Sequence, residues 1–195
     1  MNSITDAQSY FSVLAETAAR LPFETIDHVA DILVQAHENG SGVYLFGNGG
    51  SAALASHLAC DLGKGTVNGS PRRFRVIAFT DNVPLMTAWA NDSRYEDIFA
   101  EQLKNFVRPR DVVFAISGSG NSPNVLNALQ VARKAGAVNI GLTGFKGGLL
   151  RALCHVCIIV PSDNMQIVED LHLSVAHSLF TSIRRKLHEY QPLCA

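Results

Sequence analysis

The sequence has no apolar run near the roughly 18 residues that a membrane-spanning helix needs. Its start lacks the basic, apolar, small-residue order of a secretion signal. Both absences lead to the expectation of a cytoplasmic protein with no membrane partner. An excess of one charge is missing too: 16 Lys and Arg stand against 17 Asp and Glu, which argues against a nucleic-acid or acidic-lipid surface. Cysteine is scarce, and Cys60, Cys154, Cys157 and Cys194 lack the dense spacing of a disulfide-stapled secreted domain. Cys154 and Cys157 form a C-x-x-C inside "ALCHVCIIVP", which reads as a strand, where positions three apart point to opposite faces. Buried packing is expected there rather than zinc or redox chemistry. Repeats, low-complexity tracts and linkers are also absent, and 195 residues suit a single α/β domain over 1–195.

What the sequence does have is alternation. "GVYLF", "RVIAF", "DVVFAIS", "VNIGLTG" and "VCIIVP" read as strands. Helical patterns near Ser51–Leu62, Val83–Ala90, Arg94–Phe106, Pro123–Ala135 and Leu149–Leu153 fall between them. Strands without polar alternation, separated by helices, predict a doubly wound parallel sheet of five strands covered on both faces. Two amphipathic helices within residues 4–38 lead the chain. A long helix capped by Ser162 or Asp163 closes it, reaching about Tyr190.

Two glycine-rich turns follow strands. "GNGGSA", Gly47 to Ala52, formally satisfies the dinucleotide fingerprint. The acidic residue a nicotinamide cofactor needs belongs about 20 residues on, at the end of the second strand. Here Thr80 and Asp81 come about 30 residues past the turn, which weighs against an NAD-dependent oxidoreductase. The second turn, "SGSGNSPNV", puts Ser117, Ser119 and Ser122 before a helix, whose amino-terminal dipole and free N–H groups favour a phosphate monoester. Both turns open at the carboxyl edge of the sheet, and a compact sugar phosphate fits them better than a dinucleotide.

With "GNGGSAALASHLACDL", "WANDSRYEDIF", "DVVFAISGSGNSPNV", "LTGFKGG" and "VEDLHLSVAH" in this order, the chain resembles the SIS (sugar isomerase) domain family, and within it the phosphoheptose isomerases. The resemblance spans almost the whole chain. It implies conversion of sedoheptulose 7-phosphate to an aldoheptose 7-phosphate, a precursor of lipopolysaccharide. It implies substrate contacts at Asn48, Gly49, Gly50, Ser51, Asn91, Asp92 and Glu169, and phosphate contacts at Ser117, Gly118, Ser119 and Ser122. One zinc ion per active site would be held by His57, Asp61, Glu169 and His177, with Asp61 as general base and His177 as general acid. Two positions depart from the family pattern: Asp61 stands where a glutamate is usual and Glu169 where a glutamine is usual. Each replacement still offers zinc an oxygen. The resemblance also implies a homotetramer with the leading helices in its interface. SIS relatives that bind a sugar phosphate or the bacterial replication initiator without catalysis supply the alternative function.

His57 and Asp61, four apart on a helix, stack on one face and suit a single ion. Glu169 and His177, eight apart, lie about 12 Å apart along a helix axis. Two short side chains so separated are expected to meet one ion only if the helix bends or if they come from different chains; the second option is preferred. His172 lies about 140° around the helix from His177 and reads as packing or support. The chemistry would run through an enediolate, with a base, an acid and a positive centre for the developing charge.

Overall fold

A computed structural model describes residues 4–67 and 72–189. Cys194, Tyr190 and the outermost residues of the 1–195 domain assignment lie outside the described residues.

The chain runs α1 (Ala7–Ala18), α2 (Phe23–Asn39), β1 (Gly42–Phe46), α3 (Gly50–Cys60), β2 (Arg75–Ala78), α4 (Val83–Asp92), α5 (Ile98–Lys104), β3 (Val112–Ser117), α6 (Pro123–Lys134), β4 (Val138–Thr143), α7 (Leu150–Leu153), β5 (Val156–Ile159) and α8 (Met165–Glu189). The five strands form one sheet in the order β2-β1-β3-β4-β5, every neighbouring pair parallel. This is the doubly wound architecture expected.

Alternation along the central strands explains why their apolar runs are unbroken. Val43 and Leu45 of β1 and Val112, Phe114 and Ile116 of β3 face a core built with α2, α3 and α8. Tyr44, Phe46, Val113 and Ala115 face a second core built with α5, α6 and α7. Successive residues therefore bury on opposite sides, and neither side can be polar. In the second core Phe46 stacks on Phe99 with ring centroids 5.1 Å apart. At the base of the sheet the buried Asp111 carboxylate accepts from the Gly42 and Arg108 N–H groups at 2.7 and 2.8 Å, satisfying two backbone donors where β1 and β3 begin.

The leading helix packs on its own chain. Tyr10 and Val13 of α1 cover Ile167, Val168 and Leu171 of α8, and the Tyr10 hydroxyl donates to Asp170 Oδ2 at 2.6 Å. Burial, then the neighbouring carboxylate, raises the phenol's pKa to about 12.

Three expectations change in detail. Asn164 caps α8, its Oδ1 accepting from the Ile167 N–H at 3.2 Å, where Ser162 or Asp163 was expected. Cys154 follows α7 and precedes β5, so the two thiols do not alternate across a strand. A methyl on Gly141 would lie 2.9 Å from Cys154 Sγ and 3.1 Å from Cys157 Sγ, so both sulfurs sit on one side of β4. The packing reading holds, since both cysteines pack on the second core. Finally, the helix after the first glycine turn is not α-helical throughout: Asp61–Gly65 winds as a π-helix directly after α3.

Candidate active site

β1 ends at Phe46, and Gly49, at φ 56°, turns the chain into α3 in a backbone region that a side chain would strain. β3 ends at Ser117, and Gly120, at φ 67°, turns it toward α6; a methyl there would also lie 2.7 Å from the Gly147 carbonyl carbon. The loop following β4 is fastened to this second turn, with the Leu149 N–H donating to Asn121 Oδ1 and the Leu150 N–H to the Gly120 carbonyl, at 3.0 and 2.9 Å. β1 continues into β2 on one side while β3 lies on the other, so the two turns flank the point where strand order reverses. Open α/β sheets bind ligands at that point.

The serine turn is rich in hydroxyls. Ser117 and Ser122 Oγ lie 3.3 Å apart, while Ser119 Oγ accepts from the Asn121 N–H at 3.2 Å. Beside it a cavity of about 840 Å³ is bordered by Ser119, Asn121, Lys146 and Arg20. Across the reversal point, Asn48 and Asn124 exchange amide hydrogen bonds of 2.9 and 2.8 Å.

Along α3 the expected ion ligands converge. His57 Nε2 lies 2.9 Å from His177 Nε2 and 3.4 Å from Asp61 Oδ2. One ligand atom from each of the three falls within 4.8 Å of the others. In a tetrahedral zinc site with bonds of about 2.0–2.1 Å, neighbouring donor atoms stand about 3.3 Å apart. The observed spacings bracket that value, and two imidazoles with a carboxylate are ordinary zinc donors, so these residues fit the ion.

The packing that brings them together is local. Phe180 of α8 lies against Gly65 of the π-helical turn, where a methyl would come within 2.6 Å of its ring. This contact fixes where α8 crosses the end of α3, three residues from His177 and four from Asp61. π-Helical turns of this kind recur at functional sites.

His57, Asp61 and His177 come together within one chain. Glu169 does not join this group. It faces the first turn instead, its carboxylate oxygens 3.4 Å from where a methyl on Gly50 would be. With Gly50, Ser51, Leu54, His57 and His172 it lines a cavity of about 290 Å³ between α3 and α8. His172 is 1% exposed. Burial lowers its pKa to about 4 against an opposing hydrogen bond with the Thr143 backbone, and its Nε2 has no partner among the described residues.

Asn91 and Asp92 end α4, exposed, the Asn91 amide donating to Asp92 Oδ1 at 2.8 Å. Among the described residues, neither side chain is hydrogen-bonded to the glycine turns. Tyr95, three residues after Asp92, makes that link by donating its hydroxyl to Asn48 Oδ1 at 3.0 Å. Tyr95 and Asn124 are the site residues that sequence reasoning missed. The signal available for Asn124 was its place, two residues after Ser122, in the first turn of the helix behind the serine loop.

Comparison with known proteins agrees with this geometry. Residues 8–144 match the SIS domain family model. The chain is 37% identical over 164 residues to a phosphoheptose isomerase of Aliarcobacter butzleri, covering 84% of this chain and 86% of that one. It is 35% identical over 181 residues to a probable phosphoheptose isomerase of Thermoplasma acidophilum, covering 93% and 99%. Among solved structures, a phosphoheptose isomerase from Francisella tularensis superimposes with a TM-score of 0.84 at 30% identity, covering 95% of this chain and all of that one.

Proposed function

The chain belongs to the SIS domain family, and from that membership we propose that it is a sugar-phosphate isomerase interconverting a ketose and an aldose, with sedoheptulose 7-phosphate as the ketose and D-glycero-D-manno-heptose 7-phosphate as the aldose. The observation that carries the reading is the His57–Asp61–His177 group lying two turns along α3 from the glycine turn. The phosphate is held by the hydroxyls of Ser117, Ser119 and Ser122 at the start of α6, an anchor remote from the reacting carbons that orients them. His57, Asp61 and His177 hold a zinc ion, which when bound supplies a positive charge that polarises a carbonyl oxygen.

Isomerisation moves a proton between adjacent carbons, so a base must face them. The resemblance assigns this to Asp61 and the acid to His177. Asp61 lies inside the ligand group, whereas Glu169 lies outside it and against Gly50, with its carboxylate free to take the proton. Glu169 is therefore the proposed base, with Asp61 as ligand. The tetramer, the cytoplasmic setting and the single domain over 1–195 form part of the same proposal, and mass photometry of the purified chain reads the first.

The test is NMR-followed turnover of sedoheptulose 7-phosphate by chelator-treated and zinc-loaded protein, alongside zinc-induced melting shifts. Glu169→Gln is expected to lose at least about 100-fold in kcat, the usual scale of acid–base catalysis, while keeping the zinc-induced shift. Asp61→Asn and His177→Ala are expected to lose that shift. Wild-type turnover unchanged by chelation removes the ion from the reading, and Glu169→Gln turnover within a few-fold of wild type returns the base to Asp61.

A further inference from the structure

The amide of Asn48 sits in a hydrogen-bond arrangement that leaves it a single free capacity. Its Nδ2 donates to Asn124 Oδ1 at 2.9 Å. Its Oδ1 accepts twice, from Asn124 Nδ2 at 2.8 Å and from the Tyr95 hydroxyl at 3.0 Å. The orientation of the pair is not free to invert. Asn124 Oδ1 also accepts from the Val125 N–H at 3.0 Å, and a backbone N–H can only donate, so that atom must be the oxygen. The Asn124 nitrogen must then face the Asn48 oxygen, and the reciprocal pair has one possible sense. Asn124 is 1% exposed, with no room to exchange these partners for water.

A side-chain amide has two N–H donors and two acceptor positions on oxygen. Both acceptor positions of Asn48 are filled, and one N–H is used. What remains is one N–H, without a partner among the described residues, on a half-buried side chain at the reversal point of the sheet. A group that can only donate selects an oxygen acceptor. Two bonds at the carbonyl oxygen also polarise the amide and strengthen its remaining N–H as a donor.

We infer that Asn124 and Tyr95 are positioning residues that lock Asn48 as a donor to a substrate oxygen at the phosphate end of the site. The inference rests on the reading above in taking a sugar phosphate as ligand. Asn48 is joined to Asn124 in the first turn of α6, behind the serine loop that holds the phosphate. The oxygen it meets is thus a phosphate oxygen or the hydroxyl next to it, at the end of the substrate away from the carbons that exchange the proton. Such a contact is equal in ground and transition states, so its loss raises KM and leaves kcat alone.

Tyr95 is exposed, and Tyr95→Phe removes only the hydroxyl, so this variant folds even if Asn124→Ala does not. Calorimetric titration of sedoheptulose 7-phosphate into zinc-loaded wild type, Tyr95→Phe, Asn48→Ala and the double variant tests the lock, with turnover measured on the same samples. Tyr95→Phe is expected to weaken binding about fivefold, the scale of one hydrogen bond, with kcat within about twofold of wild type. In the Asn48→Ala background the same change is expected to have no further effect, because the tyrosine acts only through that amide. Unchanged affinity in Tyr95→Phe, or an undiminished loss on the Asn48→Ala background, overturns the lock while leaving the isomerase reading in place. Wild type that binds the sugar phosphate without converting it overturns the isomerase reading and leaves the lock to be decided by the same affinities. Wild type that does not bind it overturns both.

Discussion

Adding one methyl at Gly144 is expected to damage the protein, whereas adding one at Gly118, bonded to it, is not. Gly144, just past β4, donates its N–H to the Gly118 carbonyl at 2.9 Å. Neither glycine is among those with positive φ, so alanine strains neither backbone and the outcome is set by neighbours. At Gly144 a methyl would lie 2.6 Å from Val168 Cγ1 and 3.1 Å from Val168 Cβ. Val168 is 0% exposed and β-branched, with little rotamer freedom to retreat. Overpacking of this kind costs about 1–3 kcal/mol. In a domain of this size that lowers the melting temperature by about 2–12 °C. At Gly118 the first atom met is Met165 Sδ at 2.5 Å, on a flexible side chain that swings aside. Gly118→Ala is therefore expected to melt within about 2 °C of wild type. Calorimetry measures both. Shortening the obstacle supplies the control: Gly144→Ala with Val168→Ala is expected to be more stable than the sum of the single losses by about 1 kcal/mol. Equal melting of Gly144→Ala and wild type, or strict additivity in the pair, would refute the overpacking of Val168.

Burial holds His172 neutral, with a pKa near 4 against an ordinary value of 6.5. Between those values the unfolded chain binds the extra proton, so stability is fully present above about pH 6.5 and falls as pH drops toward 4. His172→Gln is expected to flatten that part of the urea-midpoint profile, and an unchanged slope would assign it to other groups. Burial pushes the Cys157 thiol up to about 11 and the Cys154 thiol higher still, whereas Cys60 is exposed. Iodoacetamide at pH 8 followed by peptide mapping is expected to modify Cys60 well before either of these partly buried cysteines; comparable rates would contradict the packing described. Asp111→Ala strands the Gly42 and Arg108 N–H groups, and a loss of about 1–3 kcal/mol is expected from urea unfolding.

The sheet was legible because its central strands β1, β3 and β4 are buried on both faces. "DVVFAIS" has no polar position to spare, and that is a property of the strand itself. The two turns were legible for a similar reason, since Gly49 and Gly120 answer local backbone demands. What local reading cannot supply depends on where distant elements cross. His57, Asp61 and His177 were named together from the family resemblance, but their meeting depends on Phe180 resting on Gly65, a contact between residues 115 apart in sequence. The link from Tyr95 to Asn48 has the same character, because a tyrosine after "AND" looks like any half-exposed aromatic until the loop is folded back. The π-helical stretch has no compositional mark at all, and "CDLGKG" reads equally well as the frayed end of an ordinary helix.

That stretch makes the ligand group sensitive to the number of residues as well as to their kind. A π turn contains more residues than an α turn, so losing a single residue between Asp61 and Gly65 would let the helix rewind in the ordinary way. The glycine that receives Phe180 would then lie one residue nearer Asp61 along the chain, changing where α8 is seated against the ligand group. The number of residues between Asp61 and Gly65 therefore matters to the ligand group as well as their kind.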